Sequence, residues 1–341
     1  MRHGTEIPYR WTTSRVVLGM FITLTAAAVV SVMGWQVLAQ DAAPGGRPVV
    51  ARTASQAPLF DLSNLTVPAS EILSGGPGKD GIPALTDPAV VPVADAGFLA
   101  LADRVIGVRI GDEARAYPLR LLMWHEAVND SLAGVPIAVI YCPLCDSVSV
   151  IDRRLDGRTY TFGISGLLLN SNVLLYDRTD DALWSQVGLT AISGPNAGRT
   201  LRHLPWELAA FGGWRTANPK ATVVTFDTGY DRDYGQPAYG DYFRNDQLLY
   251  PLVREDRRLP RKDPIVGVKI GATTRAYPVR AILKATDGIV RDTIEGQEIV
   301  LQADRESLTV RVVEAPPEAV VVYTFWFAWG AFHPETEIYD R

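Results

Sequence analysis

Two cysteines separated by two residues are the side chains in this sequence best suited to chemistry. Cys142 and Cys145 are the only cysteines among 341 residues, and they enclose Pro143 and Leu144. Two thiols on one short loop can act together, because one thiolate attacks a disulfide or a peroxide and the other resolves the intermediate. The same pair is also half of a zinc or copper site, or a permanent structural disulfide. The sequence alone leaves these three interpretations open.

Histidine would have to complete a metal site on these cysteines, and the chain has only 4 histidines. His125 lies in a predicted helix before the cysteines, and His333 lies in an aromatic segment near the C-terminus. With Cys142 and Cys145 they form the candidate ligand set for copper or zinc. A histidine that bonds to backbone or is satisfied in the core accounts for either one equally well. His203 is expected at the surface, and the redox interpretation needs no metal or other cofactor.

A polar set close to the cysteines in sequence is predicted to line a pocket. Its members are Asp146, Ser165, Asn170, Asp177, Arg178, Trp184 and Gln186. Gly163 and Gly166 flank Ser165 in a turn of little bulk, as needed where backbone approaches another group closely. Asp177 and Arg178 are adjacent in a predicted strand and therefore face opposite ways, so at least one should bond elsewhere. A structural ion pair or a turn anchor is the alternative for these two.

Short β-strands are predicted to hold the cysteines. Residues 137–141 are rich in β-branched and aromatic side chains and residues 147–153 alternate, which predicts a strand, a tight loop and a strand. In thioredoxin-like proteins, by contrast, the first cysteine opens a helix whose N-terminus lowers its pKa. A short helix is predicted over residues 119–129, and the glycine- and proline-rich residues 71–93 predict irregular chain without a helix.

The segment around the cysteines is one copy of an internal repeat. Residues 105–120, VIGVRIGDEARAYPLR, and residues 265–280, IVGVKIGATTRAYPVR, match at nine of sixteen aligned positions. Residues 128–150 align with residues 290–310 if two residues are removed at the cysteine loop, and the second copy lacks both cysteines. We therefore expect one half to keep the chemistry and the other to support it.

Two further similarities extend the repeat. The sequence YTF occurs at residues 160–162 and again at residues 323–325, and in each half a tryptophan, Trp214 or Trp329, precedes a proline by five residues. On this alignment residues 163–213 are an insertion in the half that carries the cysteines.

The predicted fold is mainly β, a β-rich α+β protein of two duplicated β-rich halves with a few short helices. The 23 prolines and 29 glycines favour many short elements over long helices. The first half is placed at residues 59–225, with the cysteines and the insertion, and the second at residues 226–341.

The N-terminal residues are predicted to be a targeting segment. Residues 1–40 begin with a positive flank and continue without charge from Val16 to Ala39, which suits a signal peptide or a signal anchor. Residues 41–58 are rich in Ala, Pro and Gly and predict a flexible linker. The body is then expected outside the cytoplasm, in the periplasm or at the cell surface, held to the membrane by its transmembrane segment or secreted after cleavage. A net charge of -5 without long runs of one sign argues against nucleic acid as a partner.

Several boxes in a fixed order resemble one bacterial and archaeal family. They are YCPLCDSVSVIDR, YTFGISGLLLNSNVLLYDRTDDALWSQ, the second RAYP and FWFAWGAFHPETEIYD. This pattern resembles the domain of unknown function family 3179, which has no settled activity. Relatives that look like selenoproteins carry selenocysteine in the Cys-x-x-Cys box, and this resemblance implies redox chemistry. The chain departs from the expected His-Pro step at Asn218, which removes a histidine from the first copy.

The predicted function is therefore thiol–disulfide or related redox activity through Cys142 and Cys145. Its substrate would be a small-molecule or protein thiol or disulfide of unknown identity. The alternatives are an extracytoplasmic copper or zinc binding protein that uses the same cysteines, and a non-enzymatic binding module with a structural disulfide.

Overall fold

A computed structural model describes residues 59–188, 190–236, 238–305 and 309–340. The predicted targeting segment and linker, residues 1–58, lie outside this part of the chain. Within the described ranges, no helix is both long and apolar enough to cross a bilayer.

Short strands dominate the described residues, and the mainly β prediction is confirmed. In chain order they are β1 (Ile72–Ser74), β2 (Leu85–Thr86), β3 (Val90–Pro92), β4 (Arg104–Ile110), β5 (Glu113–Pro118), β6 (Ala127–Leu132), β7 (Val135–Cys142), β8 (Ser147–Asp152), β9 (Arg154–Leu155), β10 (Arg158–Thr159), β11 (Phe162–Leu169), β12 (Asn172–Asp177), β13 (Leu183–Ser185), β14 (Trp206–Ala210), β15 (Thr222–Val224), β16 (Pro264–Ile270), β17 (Thr273–Pro278), β18 (Ile289–Ile294), β19 (Gln297–Asp304), β20 (Thr309–Glu314), β21 (Val320–Phe325) and β22 (Glu337–Ile338). The α-helices are α1 (Leu119–His125), α2 (Phe211–Ala217), α3 (Val279–Lys284) and α4 (Trp326–Phe332), and single 3-10 turns lie at Ala69–Glu71, Val93–Asp95, Gly240–Arg244 and Thr286–Gly288.

Two eight-stranded sheets build most of the core. Their strand orders are β18-β19-β20-β14-β4-β5-β15-β3 and β2-β6-β7-β8-β21-β16-β17-β22. Each sheet takes strands from both sides of residue 226, so the two predicted halves share their sheets and are not separate layers. A four-stranded sheet has the order β1-β11-β12-β13. Its strands β11, β12 and β13, like the small hairpin of β9 and β10, come from the chain between β8 and β14, whereas β1 is added from the N-terminal side.

The two copies of the repeat make matching contacts around a glycine. Gly107 on β4 faces the ring of Trp214 on α2, and Gly267 on β16 faces the ring of Trp329 on α4. A Cβ atom at either glycine would overlap the indole. Glycine is needed there because only a residue without a side chain lets the helix lie this close to the strand.

The copies also match in a charged cluster. On the first strand after the helix, a carboxylate accepts hydrogen bonds from an arginine at 2.6 Å and from a tyrosine at 2.8 Å. The residues are Asp130, Arg115 and Tyr117 in the first copy and Asp292, Arg275 and Tyr277 in the second. These contacts support the internal duplication, which itself stays a prediction from the sequence.

Strand pairing corrects the repeat alignment. β14 pairs with β4 as β21 pairs with β16, so the counterpart of β21 is β14 and not the predicted YTF at residues 160–162. The turn that Cys142 and Ser147 close has the same length as the turn that Asp304 and Thr309 close, so no residues need to be removed there. The extra chain of the first copy accordingly lies between β8 and β14.

Two local predictions were also wrong. The helix predicted to residue 129 ends at His125, because Glu126 adopts a left-handed φ of 56° and the chain enters β6. The segment predicted to be irregular, residues 71–93, contains β1, β2 and β3, which are short because each adds to the edge of an existing sheet. Local composition did not reveal these strands, since their hydrogen-bond partners are distant in the sequence.

Candidate functional site

The two cysteines lie on a tight turn between two paired strands. β7 ends at Cys142 and β8 begins at Ser147, directly opposite it in the antiparallel register. The N–H of Cys145 donates to the carbonyl of Cys142 at 3.2 Å, and the Cys145 carbonyl accepts from Phe325 N–H at 2.8 Å. The predicted order of strand, loop and strand is confirmed, and β21 holds the turn in place.

Both cysteines are free thiols enclosed by protein. Cys142 is 1% and Cys145 0% exposed. The thiol of Cys145 donates to the carbonyl of Ser171 at 3.2 Å, and the amide nitrogen of Asn172 donates to the same sulfur at 3.5 Å. Ser171 and Asn172 come from the turn and strand of the extra four-stranded sheet, so the insertion covers the second cysteine.

The surroundings make the two thiols unequal. Burial raises the pKa of Cys142, but hydrogen bonds, among them those from the backbone N–H groups of Val173, Cys145 and Leu144, outweigh it, so the pKa is lowered. Burial raises the pKa of Cys145 well above its usual value, and the neighbouring Cys142 raises it further. Cys142 is therefore the thiol that ionises first, and Cys145 keeps its proton.

A buried polar network orients the side of the turn that faces the insertion. Asn172 donates to the side-chain oxygen of Gln186 at 2.7 Å, and Ser147 donates to the same oxygen at 2.6 Å. Gln186 in turn donates to the carbonyl of Ser147 at 3.1 Å, and Asn172 accepts from the N–H of Val187 at 3.1 Å. Because each amide is fixed at both ends, Asn172 is held with its donor toward the Cys145 sulfur.

A buried carboxyl group also interacts with the cysteines. Glu126 is 5% exposed, and its backbone carbonyl accepts from the N–H of Tyr141, the residue before Cys142, at 2.8 Å. Burial raises the pKa of Glu126 well above its usual value, and the nearby Cys142 raises it further. Tyr239 donates its hydroxyl hydrogen to this carboxyl at 3.3 Å. Glu126 was not among the predicted site residues, although it directly follows His125.

A segment without strands closes the site from outside, and we call residues 239–252 the cover. Tyr242 donates to the carbonyl of Leu144 at 2.8 Å, and Tyr250 donates to the carbonyl of Gly75 at 2.7 Å. Apolar side chains of the cover pack in the same buried cluster as both cysteines. Its C-terminal part, residues 248–252, borders a cavity of about 340 Å³ that Glu255 and Arg261 also line. This segment was not predicted from the sequence as part of the site, although its tyrosines and leucines are a signal for chain that packs on a core.

Asp146 anchors the turn through its carboxylate. Its carboxylate accepts two hydrogen bonds from Arg104, both at 3.1 Å, and one from Tyr141 at 2.8 Å. Tyr323 also bonds to it, and the Arg104 guanidinium lies over the Tyr323 ring. Asp146 has a left-handed φ of 46°, which lets the turn rejoin β8.

The other predicted pocket residues are divided between the site and its supports. Gln186 lies in the network beside the cysteines, and Asn170 accepts from the N–H of Val253 at 3.0 Å, next to the end of the cover. Ser165 donates to the carbonyl of Leu174 within the four-stranded sheet. These three residues support the site from the insertion.

Asp177 and Arg178 lie at the end of β12 and bond to groups outside the cysteine network, whereas Trp184 on β13 packs in the same buried cluster as both cysteines. Asp177 accepts from the Trp184 indole at 2.8 Å and caps the turn that follows β12, whereas Arg178 pairs with Asp80 at 2.7 Å. The adjacent acid and base thus face different partners, as expected from strand geometry. Their contacts are those of a turn anchor and a surface ion pair.

A family comparison matches most of this architecture. The family model described as "Protein of unknown function (DUF3179)" matches residues 79–322, more than half of the chain. The chain belongs to the DUF3179 family. The match includes the cysteine turn, Glu126, Asn172 and the whole cover. A search of curated proteins found no match to this DUF3179 chain, and neither did a search of solved structures.

His125 bonds away from the cysteines in this DUF3179 protein. One ring nitrogen lies 2.7 Å from the carbonyl of Pro83 and the other 2.7 Å from the hydroxyl of Tyr234. Both positions that could bind a metal are therefore occupied by protein groups. Among residues 59–188, 190–236, 238–305 and 309–340, no three His, Cys, Asp or Glu side chains are grouped to hold a metal ion.

His333 and His203 have shielded rings. His333 packs against Trp329 with ring centroids 4.0 Å apart and planes tilted by 45°. It also bonds to the backbone of Val187, whose N–H donates to Asn172. His203, expected at the surface, is instead half-buried, and within the described part of the chain neither of its ring nitrogens has a hydrogen-bond partner. The surface expectation failed because β8 forms a bridge to His203 through Ile151.

The shielded ring nitrogens of His203 predict a loss of stability in acid. Burial lowers its pKa from 6.5 to about 4. As pH falls through the unfolded-state value, the unfolded chain binds a proton that the folded protein excludes, so stability falls between pH 6.5 and about 4 and then levels. We expect His203→Leu to remove up to about 3 kcal/mol of this loss. Urea unfolding of both proteins across that pH range measures the difference. The same pH dependence of the free energy of unfolding in both proteins would contradict the prediction.

Proposed function

We propose that this protein is a thiol redox protein in which Cys142 attacks a disulfide substrate and Cys145 resolves the intermediate. The supporting observation is the unequal environment of two free thiols on one turn. Backbone N–H groups lower the pKa of Cys142, whereas Cys145 keeps its proton in a hydrogen bond to the Ser171 carbonyl. Donors that converge on one sulfur stabilise its thiolate, which is the nucleophile in disulfide exchange.

The proposed reaction oxidises the dithiol and reduces the substrate. The Cys142 thiolate attacks one sulfur of a substrate disulfide, the sulfur–sulfur bond of the substrate breaks, and the first substrate thiolate leaves. Cys145 then loses its proton and attacks the Cys142 sulfur, which breaks the mixed disulfide and releases the second substrate thiolate. The substrate gains two electrons and the protein gains one intramolecular disulfide.

Substrate access depends on the cover. Both sulfurs are nearly inaccessible, and residues 239–252 hold the closed form through Tyr239 and Tyr242. A protein substrate would need the cover to move, whereas a small disulfide needs only a narrow opening. We propose small disulfides as the preferred substrate class.

The proposed location is outside the cytoplasm, and the support is the uncharged stretch from Val16 to Ala39 behind a positive flank. There a dithiol would become oxidised unless an electron donor reduced it. A cycle of reduction and substrate turnover therefore requires a donor on the same side of the membrane.

The test is the reduction potential of residues 59–341, with bound metal measured on the same sample. Thiol trapping in a glutathione series should give a value between about −120 and −270 mV, in the range of known oxidoreductases. A value below about −300 mV would identify a structural disulfide and overturn the proposal. Stoichiometric copper or zinc that protects both thiols would overturn it in favour of a metal site.

A further inference from the structure

Glu126 has a backbone conformation that costs stability. Its φ is 56°, in the left-handed region that glycine adopts without penalty and other residues avoid. The register of β18 and β19 places Gly288, with a φ of 63°, at the matching position of the copy without cysteines. Glutamate thus stands where the same bend is made by glycine elsewhere in the chain. A strained residue is retained when its side chain has a use.

The Glu126 side chain is directed into the protein, toward the cysteines. The carboxyl group is buried, and it accepts a hydrogen bond from the hydroxyl of Tyr239 on the cover. The groups that interact with it electrostatically are Cys142 and Cys145 on the turn and Tyr239 and Tyr250 on the cover. Within the described residues no arginine or lysine is paired with it, which distinguishes it from Asp130, Asp146 and Asp292. An unpaired buried carboxyl adds nothing to stability.

We propose that Glu126 is the proton relay of the cysteine pair, giving a proton to the first leaving group and taking the next from Cys145. This inference rests on the proposed disulfide exchange and assigns its proton transfers.

The proton balance follows the two exchange steps. At the start Cys142 is a thiolate, Cys145 a thiol and Glu126 a neutral acid, and the substrate is a small disulfide. When Cys142 attacks, the first substrate thiolate takes the proton of Glu126. The negative charge on Cys142 has then disappeared and no longer raises the pKa of Glu126. The Glu126 carboxylate can therefore persist until the second step. Cys145 passes its proton to Glu126 as it attacks Cys142, and the second substrate thiolate leaves. Glu126 is again neutral.

The structure explains why Cys145 needs such a base. Its pKa is raised by burial and by the Cys142 sulfur, and Asn172 is the only donor among its main influences that favours the thiolate. The hydrogen bond to Ser171 holds the proton in place. A base beside the thiol pair removes this barrier in the resolving step, in which general base catalysis typically contributes about 10²-fold or more.

The test separates the two steps with dithiodipyridine, a small chromogenic disulfide. Its thiolate departs readily and is protonated only afterwards as thiopyridone, by Glu126 in the wild-type protein and by water in a variant without this carboxyl. The rate of mixed-disulfide formation therefore does not depend on Glu126. We expect Glu126→Gln to leave the first release of thiopyridone within a few-fold of the wild-type rate and to slow the second release by about 10²-fold. Glu207→Gln, on β14 in the other large sheet, is the matched carboxyl control and should change neither phase.

Glu126→Gly distinguishes a relay from a structural role. Glycine relieves the left-handed φ and removes a buried carboxyl, so this variant should slow the second release equally while its unfolding temperature stays the same or rises. Equal second-phase rates in the wild-type and Glu126→Gln proteins would overturn the relay and leave the thiol exchange standing. If the wild-type protein releases no thiopyridone while its thiols stay reduced, the proposed function itself fails.

Discussion

Cys142→Ser should abolish disulfide exchange, whereas Cys145→Ser should stop it at a mixed disulfide. Cys142 receives the donors that stabilise a thiolate, and serine cannot form one near neutral pH. Cys145 only resolves, so its loss leaves a protein that reacts once and retains one substrate thiol. We expect the rate of turnover to fall at least about 10³-fold in both variants, since each step is indispensable to the cycle.

Intact-mass measurement after mixing with excess small disulfide distinguishes the two variants. Cys145→Ser should carry one adduct on Cys142, and Cys142→Ser should carry none over the same time. The control is thermal unfolding, because serine at Cys145 can still donate to the Ser171 carbonyl and should preserve the fold. An adduct on Cys145 in the Cys142→Ser protein, at the rate of the wild-type reaction, would reverse the assigned roles. Unchanged turnover in either variant would remove the thiols from the mechanism.

The sequence predicted the local geometry of the site well and its long-range contacts poorly. β-branched and alternating residues on both sides of the cysteines were enough to predict a turn between two strands, since that signal is local. Gln186 and Asn170 were also predicted beside the site, because polar residues in an apolar insertion are conspicuous. Glu126 was not predicted. Glu126 itself adopts the left-handed conformation that ends α1, and no sequence rule predicts this conformation for a glutamate.

The interleaving of the two halves could not be predicted from the repeat. The repeat shows which segments are alike, but it does not show which strands pair with each other in a sheet. β21 inserts between β8 and β16, and β14 inserts between β20 and β4, so each half completes a sheet of the other. The division at residue 225 therefore separates strands that are neighbours in space. The cover was missed for the same reason, since its contacts with the cysteine turn span about a hundred residues.

The largest loss of stability is expected from Arg104→Met. The Asp146 side chain is 6% exposed and its cation is Arg104, 34% exposed, which binds it through both carboxylate oxygens. Removal of the cation leaves a buried charge beside the cysteine turn. A fully buried pair would lose about 3–5 kcal/mol, and partial exposure of Arg104 reduces the expected loss to about 2–3 kcal/mol.

Two further variants make this stability prediction specific. Arg244→Met removes a pair with Asp241 whose side chains are 84% and 80% exposed, and it should cost less than about 0.5 kcal/mol. Arg104→Met with Asp146→Asn should recover part of the loss, because asparagine tolerates the left-handed φ, still accepts from Tyr141 and carries no charge. Urea unfolding of the four proteins at one pH gives each free energy. If Arg104→Met costs no more than Arg244→Met, the Asp146 carboxylate is not what holds the turn, and the anchoring must come from the bonds that β21 makes to the Cys145 carbonyl.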